Sequence, residues 1–164
     1  MGSMGSRTFY NALGAAIALS WAIAAAGPAA LNPVTIRAIA EIETRTSDGR
    51  TTLVSADRVV PGDQIIYTLE VRNTAAFTVH APTVTYAVPT HMRYLADSAV
   101  GPGAEVSFSV DGGDHFDSPE NLEIATANGL RAATAGDYTH IRWQLANDLK
   151  ANSVAFVRFR ARVK

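Results

Sequence analysis

Cysteine is absent from all 164 residues. That absence excludes disulfides, thiolate metal sites and cysteine nucleophiles together. Stability must come from buried apolar surface, which a chain of this length can supply. Charge excess is missing as well: 14 Lys and Arg stand against 15 Asp and Glu, a formal net charge of −1. Such a balance gives no general attraction to nucleic acid or to anionic membrane. The sequence also lacks a Gly-x-Ser-x-Gly elbow, a His-Glu-x-x-His helix, a Walker loop and a Gly-x-Gly-x-x-Gly turn. Its histidines, His80, His91, His115 and His140, are scattered without i, i+4 pairing. The expectation is a protein that is not an enzyme and carries no cofactor.

Apolar residues make up 48% of the chain and charged residues 18%, a globular composition that fits one domain. Residues 12–30, "ALGAAIALSWAIAAAGPAA", carry no charge and follow a start whose only cation is Arg7. An apolar stretch ending in small residues reads as a secretory signal peptide, with cleavage expected between Ala26 and Leu31. At alanine-level hydrophobicity a stable membrane span is marginal. Export to the cell surface or periplasm is therefore expected. The boundaries that follow are a signal segment at 1–30, a strand extension at 31–54 and a β-domain at 55–164.

From residue 34 the pattern alternates. "VTIRAIAEIETR" (34–45) places Val34, Ile36, Ala38, Ala40 and Ile42 on one parity, and period two marks a half-buried strand. Further strand-like runs cover 51–56, 64–73, 83–89, 92–98, 105–110, 138–145 and 154–164, divided by turn sequences such as Asp48-Gly49 and Pro61-Gly62-Asp63. No credible helix follows residue 30. This is an all-β chain, an antiparallel β-sandwich of seven to eight strands behind an apolar N-terminal segment. Tyr67, Leu69, Val71, Ile141, Trp143 and Phe159 are the expected core.

Two charged features invite a functional reading. "SFSVDGGDHFDSPENLEI" (107–124) concentrates acids, and Asp111, Asp114 and Asp117 are its weak candidates for a metal. Calcium takes six or more convergent oxygens, and the order of an EF-hand loop is missing. Gly112-Gly113 beside Asp111 reads instead as a tight turn. The last strand carries Arg158, Arg160, Arg162 and Lys164 on one parity, with Val157, Phe159, Ala161 and Val163 on the other. Val154 and Phe156 share the cations' parity, which implies a bulge or an exposed apolar patch. If 138–145 is the neighbouring strand, His140 and Arg142 join that face. Glu70 is the expected internal offset. An acidic loop of another subunit and an anionic polysaccharide are the alternatives.

Residues 59–98 resemble the bacterial conserved repeat domain, an Ig-like sandwich of cell-surface proteins. Pro61-Gly62-Asp63, Tyr67, Asn73, Pro89 and Ser98 hold the places of its ordered motif. The loop Thr74-Ala75-Ala76-Phe77 lacks that family's usual glycine, and Tyr86-Ala87-Val88-Pro89 lacks its usual acid. The resemblance implies an Ig-like fold and a structural role at the surface, and it transfers no catalytic residue. The expected partners are copies of the chain, other surface proteins or an anionic polysaccharide. Self-association is expected through exchange of the strand bearing Val34, Ile36, Ala38, Ala40 and Ile42, the alternative being that it folds back as the first strand of its own domain, with the cations at Arg142, Arg158, Arg160, Arg162 and Lys164 as a second contact.

Overall fold

The computed structural model describes residues 33–164; the apolar stretch and its expected cleavage site lie outside the described residues. The alternating runs become strands: β1 (Val34–Arg45), β2 (Thr51–Ser55), β3 (Gln64–Asn73), β4 (Thr83–Ala87), β5 (Met92–Tyr94), β6 (Ala104–Ser109), β7 (Glu123–Thr126), β8 (Gly129–Ala132), β9 (His140–Leu145) and β10 (Val154–Val163). Two single 3-10 turns, Pro119–Asn121 and Ala135–Asp137, are the helical pieces among the described residues. Five strands form one sheet in the order β2-β1-β3-β10-β5, three form a second in the order β4-β9-β6, and β7 with β8 makes a separate hairpin. Every pairing between these strands is antiparallel. The β7–β8 hairpin lies outside the expected strand set.

The sheets meet through the faces that bear Tyr67, Leu69 and Val71 on β3, Phe159 on β10, Ile141 and Trp143 on β9 and Val84 on β4. Tyr67 on β3 lies nearly parallel to Phe159 on β10, with ring centroids 4.8 Å apart. Tyr86 of β4 and Trp143 of β9 tilt onto Phe159 at 5.9 and 6.2 Å. Ile141, Trp143, Leu69, Val71 and Phe159 are fully buried, and Tyr67 is nearly so. The expected core is therefore the observed one. Burial pushes the Tyr67 hydroxyl pKa up, and the nearby Tyr86 adds to the shift.

β1 is part of the large sheet. It pairs with β3 from Val34↔Asn73 to Ile42↔Ile65 and with β2 from Glu41↔Ser55 to Arg45↔Thr51. The connection to β2 is tight: Thr46 N–H donates to Arg50 O, Gly49 N–H donates to Thr46 O, and Gly49 holds a φ of 81°. This pairing puts β1 and β2 in one sheet with β3, within the compact unit of residues 32–164. Within the described chain, the strand expected to reach a neighbour is hydrogen-bonded to β3 along Val34–Ile42 and to β2 along Glu41–Arg45.

Asn73 closes the far end of β3. It is fully buried, and its amide nitrogen lies 2.7 Å from Phe77 O, 2.9 Å from Leu149 O and 3.1 Å from Lys150 O. Its amide oxygen accepts from Ala75 N–H at 2.9 Å. A single side chain thus ties the 74–77 loop to the approach to β10. Asn73→Ala is expected to cost on the order of 3 kcal/mol, because it removes four hydrogen bonds at a fully buried site and leaves Phe77 O and Ala75 N–H without this partner. Trp143→Ala is expected to cost about 3–5 kcal/mol as a core cavity. Denaturant unfolding checks both, with an unchanged midpoint contradicting the assigned burial.

Candidate functional site

The acidic run is built around its own turn. Gly112 and Gly113 hold φ values of 85° and 97°, which a side chain resists. Asp111 accepts from the Ser109 hydroxyl at 2.7 Å, from His115 N–H at 3.0 Å, and faces His115 Nδ1 at 2.6 Å. Asp117 accepts from Ser118 N–H and the Asn121 amide at 2.7 and 2.9 Å. The main chain of Asp117 pairs with Phe108, laying the loop along the free edge of β6. Among the described residues no three His, Asp or Glu groups are placed to share a metal ion. Asp111 and Asp117 are thus committed to closing turns.

The hydrogen bond from His115 N–H, then those from Ser109 and the imidazole, hold the Asp111 carboxyl well below the usual range. The hydrogen bond and the charge of Asp111 raise the His115 pKa in return.

The cations of β10 lie on the outer face of the large sheet, in continuous register against β3 from Val154↔Arg72 to Arg162↔Gln64. Arg160 pairs with Glu43 of β1 at 2.8 Å, and Arg158 Nε donates to Thr68 Oγ1 at 3.1 Å. Lys164 Nζ donates to Thr90 O at 3.1 Å. Glu70, the expected offset, is held by Arg72 at 2.8 Å instead. Arg162 stands directly opposite Arg93 on β5. Among the described residues, neither arginine has a carboxylate at ion-pair distance. Like charges so placed weaken a sheet unless an anion joins them.

Arg142 is not part of this face. β10 has β3 and β5 as neighbours, while β9 sits between β4 and β6 in the other sheet. The Arg142 guanidinium lies 3.6 Å from the Phe116 ring centroid, over the opposite surface. Alternation showed which side chains share a strand face, but strand order decides which faces adjoin.

Phe156 resolves the parity conflict in β10. The register runs without a bulge, so the ring is left 52% exposed beside Val100, itself 55% exposed. Thr68, Gly101, Pro102 and Arg158 complete an open depression of about 700 Å³. A second hollow of about 440 Å³ shares Pro102 and Phe156 and reaches Leu145 and Leu149. Gly101 permits this close approach: a Cβ there would lie 2.8 Å from Val157 Cγ1. Neither Val100 nor Pro102 was singled out from the sequence, because the loop that carries them has no periodicity.

The shifts at Asp111 and His115 have opposite pH limits. The histidine's contribution to stability is fully present below its unfolded pKa of about 6.5 and is lost as pH rises through its raised folded value. The aspartate's contribution is present above its unfolded value of about 4 and is lost as pH falls through its lowered folded value. Between about pH 4 and 6.5 both are in place. In an NMR titration His115 is expected to titrate above an ordinary histidine and to fall back in Asp111→Asn. Identical titrations in the two proteins would contradict the pairing. No family model, curated protein or solved structure matches this chain, so the resemblance to the conserved repeat domain rests on the residues that carry it.

Proposed function

We propose that this chain is an exported structural module, an Ig-like sandwich that associates with copies of itself at the cell surface or in the periplasm. The exposed apolar ground of Val100, Pro102 and Phe156 carries this reading. Apolar surface beside a charge, here Arg158, is a common contact surface between proteins. The apolar segment at 12–30 supports export. The Ig-like assignment draws on the two-sheet order, on the Pro61-Gly62-Asp63 turn at the start of β3 and on buried Tyr67 and Asn73.

Exchange of β1 alone fits this assembly less well than contact through its uncovered face. Exchange would break the ladders to β2 and β3 together, whereas face contact leaves both intact. Copies joined head to tail, without ring closure, would form a filament. Concentration-dependent light scattering and negative-stain microscopy test the reading. Phe156→Lys is expected to raise the concentration needed for assembly by about tenfold or more with little change in melting temperature. A protein that stays monomeric at millimolar concentration would overturn it.

The Arg93–Arg162 pair favours a second reading, a binding module for an anionic glycan or cell-wall polymer. An extended polyanion would offset the two guanidinium groups where the chain itself does not. Retention on an anionic polysaccharide that falls with salt, and is lost in Arg93→Glu/Arg162→Glu, would support it. Equal retention of the two proteins would remove it.

A further inference from the structure

The corner where β5 meets the end of β10 holds more positive charge than the Arg93–Arg162 pair alone. The register that sets Arg162 opposite Arg93 and Val163 opposite Met92 runs one pair further, where Lys164 N–H donates to His91 O at 2.9 Å. Lys164 lies two residues beyond Arg162, and His91 two before Arg93, so alternation returns both to the same side. Opposed strand residues stand about 5 Å apart and alternate ones about 7 Å. Two guanidinium groups, an ammonium and an imidazole therefore rise from a patch of roughly 5 by 7 Å.

The described chain leaves this charge unspent. The side chains of His91, Arg93 and Arg162 make no hydrogen bond, ion pair or ring contact among the described residues. Lys164 Nζ is turned to a neutral acceptor, Thr90 O, at 3.1 Å. Neighbouring acids are committed elsewhere. Glu43 is held by Arg160 at 2.8 Å, Asp63 accepts from Val60 N–H at 2.8 Å, and Arg131 donates to both oxygens of Asp137 at 2.9 Å. Opposed like charges cost the sheet stability, and an anionic ligand would offset that cost.

A hollow of about 370 Å³ adjoins the patch, with Thr90, Gly136, Tyr138, Thr139, His140 and Lys164 in its lining. The Arg93 stem lies along its rim, where a Cβ on Gly136 would meet Arg93 Cδ and Nε each at 3.5 Å. Among the described residues its one acid is Asp137, already bound to Arg131. That volume lies at the lower end for small-molecule sites, and its lining offers hydroxyl and imidazole groups to a polar occupant. The charge count selects the anion. A carboxylate has two oxygens, which one guanidinium fork can fill. A phosphate monoester brings three acceptor oxygens and up to two charges, enough to engage both arginines and a third group.

We propose that this corner binds a sugar phosphate monoester carried on a polymer, with Arg93 and Arg162 on the phosphoryl oxygens, His91 and Lys164 beside them and the sugar in the hollow. This rests on the second reading, the anionic-polymer module, and names the anion it takes.

The full chain is titrated with glucose 6-phosphate, glucose 6-sulfate, glucuronate and inorganic phosphate, following amide and His91 imidazole signals by NMR. Glucose 6-phosphate is expected to bind about fivefold or more tighter than the other three, with shifts centred on this corner. Arg93→Gln and Arg162→Gln should each weaken it about tenfold. Arg162→Lys keeps the charge but loses the fork, and should weaken it about threefold or more. Arg50→Gln, at a side chain 85% exposed in the β1–β2 turn, should leave binding unchanged. Without ligand the glutamine variants should melt no lower than the parent, because each relieves a like-charge pair. A marked fall would assign the arginines to stability and overturn the site. Glucuronate or the sulfate bound as tightly overturns the phosphate assignment and leaves the anionic-polymer reading standing. Inorganic phosphate bound as tightly removes the sugar from the hollow and overturns the proposal as stated. Binding untouched by the arginine substitutions overturns the corner. If none of the four binds, the site falls, and the anionic-polymer reading falls with it only where retention on anionic polysaccharide is also absent.

Discussion

The stack of Tyr67 on Phe159 sets the alignment of everything around it. The two rings bring β3 and β10 side by side at the centre of the large sheet, and Tyr86 and Trp143 then close over them. With those contacts fixed, the three-stranded sheet has no freedom to slide across the five-stranded one. It covers β3, β10 and β5, and the surplus strands β1 and β2 remain on one side. The uncovered strip is therefore a consequence of core packing and not of a local irregularity. It also explains why two adjacent residues of β3, Ile65 and Ile66, are both buried. Ile65 faces the core, while Ile66 lies on the outer face between Glu41 and Arg160, whose long side chains bring apolar stems to cover it.

How much of this was readable in the sequence depends on the range of the interaction concerned. β1 and β3 were read to the residue, because an alternating run of ten or more residues admits one strand register and little else. The core list held for the same reason. Strand order was not readable, since period two says nothing about which strand lies next. Arg142 was placed beside the cations of β10 on an assumed adjacency, and β9 belongs to the other sheet. The β7–β8 hairpin was missed because both strands are short and largely exposed, so no apolar alternation marks them. Asn128-Gly129 was nevertheless a usable turn signal between them, and Gly129 does adopt a positive φ.

The charged groups show a related limit. The sequence displays a basic last strand and an acidic middle, and segregation of that kind suggests poles. In the structure much of it is consumed nearby. Arg160 finds Glu43 across β3, Arg131 holds Asp137, and Asp111 is engaged by His115 and Ser109. These pairs are exposed and contribute little stability individually. Their effect is on the surface pattern that remains. After they are discounted, the arginines of β5 and β10 still face each other, and the ground around Phe156 stays apolar. Counting charges along the chain overstated the poles and missed the place where charge is left over.

The four edges of the two larger sheets are treated differently, and the difference has a direction. β5 is three residues long and carries Arg93, and β6 has its edge taken at Phe108 by the returning Asp117 loop. That side of the sandwich is blunted. On the other side β2 and β4 each run for five residues without a charge or a proline. Exposed edges of that kind are a liability in a protein meant to stay alone. Of the two, β2 offers hydrogen bonds but little burial, because its own residues are all exposed. β4 offers hydrogen bonds above an apolar strip that is already formed. A strand arriving at β4 would bury side chains and satisfy main chain in one step, which β2 does not offer. One blunted side and one open side give the sandwich a polarity, which the proposed self-association would follow.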